Sequence, residues 1–357
     1  MPTSKAWTPP RRMSLIEQTI RALAEGIQNR IWRGELPGER VLCERLNVSR
    51  PTLRSALAEL EESGLLTRMR GCRRRIKLSS KAGAQKSRIS AVGLLSPIPM
   101  ESMAPFALNW IDVLRTRLSH ERCALELHVM PRCFGKAPAA TLAATMARLP
   151  ARAWILFQSS PALQKWFQEH GVPCVLAGSP FKSITLPSID VDYKAACRHA
   201  GGVLKRRGHQ KVFLLLPEGA HAGDAESIAG LSECYTADKI QILRHDGSRR
   251  EIVAHVDTVL AANAVKPAFI VARSAPVLSV LTRLLERGLR LPEDAAVISR
   301  DDDAHLDFLT PRVTRYRASP QVFARHLSDL CIRLLRGRHS RARARKLLPE
   351  YLPGETA

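Results

Sequence analysis

A chain of 357 residues that is 45% hydrophobic has room for two or three domains, each with an ordinary core. Its formal charge of +22 and pI near 10.4 favour a polyanionic partner, because basic side chains release the counterions condensed on phosphates. Charge alone does not separate DNA from RNA or an acidic membrane. No stretch approaches the ~18 apolar residues of a membrane span, and Arg11-Arg12 is followed by Glu17 where a twin-arginine signal needs an apolar run. A cytoplasmic protein without a membrane partner is expected. The eight cysteines form no C-x-x-C pair, which excludes a zinc ribbon or a thioredoxin-like site and leaves reduced thiols. The charge is uneven: residues 1–88 carry 19 Lys/Arg against 8 Asp/Glu.

In chain order, residues 1–13 read as a flexible N-terminus. Ser14 and Glu17 have capping-box spacing ahead of Leu15, Ile16, Ile20, Leu23, Ile27 and Ile31, so a first helix is predicted over 14–32. After Gly34, Gly38 is a tolerable N-cap for a short helix over 39–46. Asn47-Val48-Ser49 makes a turn, Ser49 caps a third helix, and Pro51 sits in its first turn, where a missing N–H costs nothing. Leu53, Ala56, Leu57 and Leu60 form its buried stripe, leaving Arg50, Thr52, Arg54 and Ser55 near its N-terminal end. In a helix-turn-helix that end enters the major groove. Residues 65–70 and 72–78 read as a hairpin turned at Gly71, with basic side chains at its tip.

These motifs resemble the GntR-family DNA-binding domain: Leu36-Pro37-x-Glu39-Arg40, Leu46-x-Val48-Ser49-Arg50, Arg54-x-Ala56-Leu57-x-x-Leu60 and Gly64-Leu65-Leu66, at fixed spacing and in order. The resemblance implies an α+β winged helix-turn-helix over 14–78. It implies contacts to a double-stranded DNA operator from Arg40, Ser49, Arg50, Thr52 and Arg54, with wing residues Arg70, Gly71, Arg73 and Arg74 against flanking phosphates. Residues 79–88 are small and polar and read as a linker.

From Ile89 short apolar runs alternate with helical segments, which argues for parallel sheets covered on both faces. Strands are predicted at 89–95, 125–130, 153–157, 174–177, 212–216, 240–243, 268–272 and 295–299. Helices are predicted at 106–118, 193–207, 251–262, 276–287 and 322–335. So many strands suit two α/β subdomains better than one sheet. Ile189-x-Val191-Asp192, Gly208-His209-x-x-Val212 and the run from Gly288 to Asp301 with Leu309-Thr310-Pro311-x-Val313-Thr314 resemble the LacI/GalR effector domain. The resemblance implies a periplasmic-binding-protein-like type I α/β fold over 89–357, with two parallel-sheet subdomains, a small-molecule effector in the cleft and a homodimer.

Within that resemblance the cleft departs from pattern. Ser227 stands where the family usually has arginine, Arg273-Ser274 where Asn-Asp is frequent, and Ser299-Arg300-Asp301 where Gly-x-Asp is usual. Ser227, Arg273, Arg300 and Asp301 are the expected effector-binding residues. Asp301 alone matches a sugar site and Arg273 with Arg300 would favour an anion, so the effector expected is a sugar or an anionic metabolite. The run Asp301-Asp302-Asp303 with Asp307 lacks the spacing of a calcium loop, so no metal or other cofactor is expected. The cluster of Arg333, Arg336, Arg338, Arg341, Arg343, Arg345 and Lys346 reads as the solvated face of a last helix. No P-loop, nucleophile elbow or dinucleotide fingerprint is present, so no enzyme is expected. The function these readings imply is a ligand-responsive, sequence-specific transcription regulator, a repressor of a catabolic or transport operon. The alternatives are a nonspecific DNA binder whose cleft no longer takes a sugar, and a solute-binding receptor.

Overall fold

The computed structural model describes residues 15–28, 31–32, 34–62, 65–68, 74–76, 90–149, 151–219, 221–262, 266–337 and 344–357. The chain divides into two compact units, Met1–Arg88 and Ile89–Ala357.

In the first unit, α1 (Leu15–Gln28) is amphipathic, with Leu23 and Ile27 buried. It ends before the predicted residue 32: the Ile31 N–H bonds back to the Gly26 carbonyl at 3.0 Å, and the Trp32 ring folds over Gly26. The expected Ser14 cap lies outside the described residues. Helix α2 (Glu39–Leu46) ends at Asn47, whose φ of 51° is left-handed and turns the chain into α3 (Arg50–Glu62). Asparagine tolerates that conformation better than most residues, which is what the tight turn requires. The hairpin is β1 (Leu66–Arg68) against β2 (Arg74–Ile76), antiparallel with Leu66 opposite Ile76. A member that the pattern did not announce joins it: Glu35 bridges Arg75, and the Leu36 N–H bonds the Arg74 carbonyl at 2.9 Å. Leu53, Leu57 and Leu60 of α3 pack with Leu23, Leu42, Leu66 and Ile76 in one core.

In the second unit, strands β3 (Ser90–Ser96), β4 (Cys123–Val129), β5 (Ala153–Phe157), β6 (Cys174–Ala177), β7 (Ser188–Val191) and β13 (Arg345–Leu347) form a sheet in the order β13-β7-β6-β5-β3-β4. The other sheet contains β8 (Val212–Pro217), β9 (Ile240–His245), β10 (Ala268–Val271), β11 (Ala296–Ser299), β12 (Thr314–Arg317) and β14 (Glu350–Leu352), ordered β14-β12-β11-β10-β8-β9. Every pairing is parallel except β14 against β12. The central strands β5, β6, β10 and β11 are buried along their whole length, as a sheet covered on both faces demands.

Helices α4 (Pro105–His120) and α11 (Pro320–Leu335) cover one face of the first sheet, and α5 (Ala139–Arg148) and α6 (Pro161–Glu169) the other. Helices α7 (Tyr193–Arg206) and α8 (Ala222–Leu231) cover one face of the second sheet, with α9 (Arg249–Ala261) and α10 (Ala275–Glu286) opposite. The chain crosses between these two lobes three times: from β7 to α7, from β12 to α11 and from β13 to β14. Both lobes are therefore discontinuous in sequence.

Candidate DNA-binding surface and ligand cleft

The Ser49 hydroxyl accepts the Thr52 backbone N–H at 3.4 Å and lies 2.8 Å from the Thr52 hydroxyl, so it caps α3 and orders its first turn. Arg50 is exposed at that end, one turn before Arg54. Arg54 is 67% exposed, and its Nε donates to Glu39 Oε2 at 2.9 Å. Arg40 is 76% exposed and pairs with Glu44 at 3.1 Å, on its own helix. Arg40, Ser49, Arg50, Thr52 and Arg54 thus lie on α2, α3 and the turn joining them. Arg70, Gly71 and Arg73 lie outside the described residues.

Arg74 departs from its expected place at the wing surface. Its side chain is 12% exposed and turned inward: Nε donates to Glu61 Oε1 at 2.5 Å and Nη1 to Glu39 Oε1 at 3.0 Å. Burial alone would lower its pKa, but the bonds to Glu61 and Glu39 outweigh that and raise it. Glu39 is held below the usual carboxylate range, first by the Arg74 hydrogen bond, with Arg54 adding to it against the opposing effect of burial. The carboxylate preference for Arg74 is local: β2 pairs beside α2 and α3, and two acids there offer what a solvated phosphate contact would.

In the second unit a cavity of about 670 Å³ lies between the lobes, within the range of small-molecule sites. It is lined by segments that follow β5, β6, β8, β10 and β11, at the carboxyl ends of parallel strands where open α/β sheets bind ligands. One wall carries Phe106, Trp110 and Phe157; the other carries Tyr193, Arg273, Arg300 and Asp301.

Arg300 does not reach freely into this cavity. It is 7% exposed, and its Nη1 donates to Ser227 Oγ at 3.0 Å and to Asp224 Oδ1 at 3.2 Å, while its guanidinium stacks on the Tyr193 ring at 4.1 Å. Burial opposes its charge, yet Asp301 foremost raises its pKa. Ser227 is fully buried beneath Arg300 and is absent from the cavity wall. Burial, and then the Asp301 charge, push the Tyr193 phenol well up.

Asp301 Oδ2 accepts the Arg273 backbone N–H at 2.7 Å. Arg273 has a left-handed φ of 65°, a conformation that costs a non-glycine residue energy and that this bond to Asp301 helps hold. Its side chain makes no ion pair among the described residues and lies on the cavity wall. The structure therefore separates the four expected effector residues: Arg273 and Asp301 face the cavity, Arg300 braces its floor and Ser227 supports Arg300.

The remaining aspartates are taken up as well. Asp302 accepts from Arg315 at 2.6 Å and Arg317 at 2.5 Å, Asp303 accepts from the Ser274 hydroxyl at 2.9 Å, and Asp307 pairs with Arg315. Lys346, expected on a solvated face, instead joins the lobes: its Nζ lies 2.6 Å from Glu226 on α8 and 2.6 Å from Ser179 beside β6. Ser179 in turn donates to the half-buried Asp190 at 2.6 Å. Burial raises the Asp190 pKa, and Lys346 opposes that rise. Glu39 is legible in the sequence as part of a motif without a role and Lys346 as part of a basic cluster, whereas Asp224 and Tyr193 leave no signal, because their partners are distant in sequence.

A winged helix-turn-helix unit and a two-lobed α/β unit with a cleft at its strand ends define the class. Residues 15–75 match the family described as bacterial regulatory proteins of the gntR family, and residues 202–357 match the periplasmic binding protein-like domain. The chain thus joins a gntR-type DNA-binding domain to a periplasmic-binding-protein-like domain. It is 22% identical over 158 residues to the HTH-type transcriptional repressor PurR of Vibrio atlanticus, covering 43% of this chain and 47% of that protein. The match thus spans about half the length of that relative.

Among solved structures, the transcription regulator CcpA of Lactococcus lactis has a TM-score of 0.64 at 14% identity, over 75% of this chain and 98% of its own. The CelR transcriptional regulator–cellobiose complex has the same TM-score of 0.64 at 19% identity, over 97% of this chain and 100% of its own. At such identities these likenesses establish the fold. No helix of the described residues is long and apolar enough to cross a membrane.

Proposed function

We propose that this chain is a ligand-responsive, sequence-specific DNA-binding transcription regulator, acting in the cytoplasm as a homodimer that represses a catabolic or transport operon. The observation that carries the reading is the exposed N-terminal end of α3, where Arg50 and Arg54 flank a capped first turn and both stay exposed among the described residues. That end of a recognition helix supplies base contacts in the major groove, and a two-fold dimer matches a palindromic site. The PurR, CcpA and CelR proteins are regulators by name, which supports the same reading.

The cleft is the sensor. A ligand changes the regulator only through a difference in its affinity for two arrangements of the lobes. Because Asp301 and Arg300 are already engaged, the cleft suits an anionic metabolite held on Arg273 better than a polyol.

Selection from random duplex DNA by the wild-type chain tests the proposal. One enriched sequence is expected, bound far more tightly than scrambled DNA at physiological salt, with Arg50→Ala and Arg54→Ala each losing about 1–3 kcal/mol of that discrimination. Equal affinity for both duplexes sinks the regulator reading and favours a nonspecific binder.

A further inference from the structure

We propose that Glu39 is a positioning residue for DNA reading: it fixes the Arg54 guanidinium through Nε and leaves the terminal nitrogens for a guanine edge. The inference rests on the DNA-binding reading above and adds a residue that does not itself touch DNA. An arginine on an exposed helix face samples many rotamers, and ordering it on binding costs affinity. Here one branch is already ordered. Arg54 Nε donates to Glu39 Oε2 at 2.9 Å across fifteen residues of sequence, from α3 to the first residue of α2. With Nε engaged, Nη1 and Nη2 take no partner among the described residues, and that pair matches the two acceptors, O6 and N7, that guanine shows in the major groove.

A carboxylate close to DNA would ordinarily repel phosphate. Glu39 is 20% exposed and shares its charge between two arginines, Arg54 and Arg74, so the repulsion is offset. Arg74 is itself fixed, because its Nε is held by Glu61 at 2.5 Å. A continuous relay results: β2 holds Arg74, Arg74 holds Glu39, and Glu39 aims Arg54. The wing thereby sets the geometry of a base-reading side chain without reaching the base.

The test measures the affinity of the full chain, by fluorescence anisotropy, for the duplex enriched by wild type and for a scrambled duplex. Glu39→Gln is expected to lower the ratio of the two affinities about 10-fold, and to change nothing further in an Arg54→Ala background. Glu61→Gln loosens Arg74, one link further back in the relay, and is expected to lower the ratio in the same direction but by less than Glu39→Gln does. Arg54→Lys, which keeps the charge and loses Nε, is expected to lower the ratio as Glu39→Gln does, whatever the folding of the Glu39 variant. The proposal is overturned if Glu39→Gln weakens both duplexes equally, if it weakens binding as much without Arg54, or if Arg54→Lys leaves the ratio intact. A wild-type chain that does not distinguish the duplexes removes the DNA-reading proposal itself, a separate outcome.

Discussion

Single residues in this chain show how partners override residue type. Arg300 looks like an anion receptor in sequence, yet it stands buried against Asp224, Ser227, Asp301 and the Tyr193 ring. Removing one member of a buried charge cluster strands the others, so Arg300→Met is expected to destabilise the second unit by about 3–5 kcal/mol in urea unfolding. Arg273→Met, whose side chain has no ion pair among the described residues, is expected to cost far less. Gly230 meets a different limit: a Cβ there would lie 2.2 Å from the Lys194 carbonyl and 3.0 Å from the Arg198 nitrogen, so α7 and α8 cross too closely for any side chain. Gly230→Ala is expected to cost about 1–3 kcal/mol by the same measurement.

His209 carries a pH dependence. Its Nδ1–H donates to the Lys266 carbonyl at 2.9 Å, and burial foremost pushes its pKa below the ordinary value. Unfolded, the ring takes a proton near pH ~6.5; folded, it resists until lower pH. The unfolded chain therefore binds more protons in that interval, and the contribution of neutral His209, intact above the unfolded value, is lost as pH falls towards the folded value. The urea midpoint should drop between pH 7.5 and 5.5, and less steeply in His209→Gln.

At the scale of elements, legibility followed burial and length. Strands β5 and β6 coincide with their predicted runs, because a strand covered on both faces is an uninterrupted apolar stretch. Strands β13 and β14 were invisible: Arg345-Lys346-Leu347 and Glu350-Tyr351-Leu352 are three residues each, with three charged residues between them, and each pairs along a neighbouring edge. Helix α8 escaped because Ala, Gly and Ser lie on both of its faces and leave no apolar stripe. The wing misled in a finer way, since charge at a hairpin does not tell which arginine turns inward.

Asp192 closes the Ile189-x-Val191-Asp192 motif and has a structural task at the first crossing. Its Oδ1 accepts the Ala195 N–H at 2.9 Å and caps α7. Asp192→Ala is expected to cost about 1 kcal/mol, most of it recovered in Asp192→Asn, by the shift in thermal midpoint.

For the molecule as a whole, the sequence disclosed the division into a basic head and a two-lobed α/β body, because both leave periodic patterns. What holds the lobes together was not legible: Lys346 and Glu226 are 120 residues apart and each is about one-quarter exposed. Such a pair contributes modestly, and a double-mutant cycle between Lys346→Met and Glu226→Gln should give a coupling of about 0.5–1 kcal/mol. Ligand that closes the cleft should increase that coupling; a cycle indifferent to ligand would mean that the bridge is present in both arrangements.

The threefold crossing between lobes has a further consequence for how the protein is made. The first sheet cannot acquire β13, nor its covering helix α11, until the second lobe from α7 to β12 has been translated. At about 5–20 residues per second, the interval between Val191 and Arg345 leaving the ribosome's catalytic centre is roughly 8–30 s. Until α11 follows, the apolar surface that Phe323 and Leu327 will cover stays open to chaperones and to aggregation. The unit up to Arg88 leaves the ribosome before both lobes, so it can fold on its own contacts while they are still incomplete.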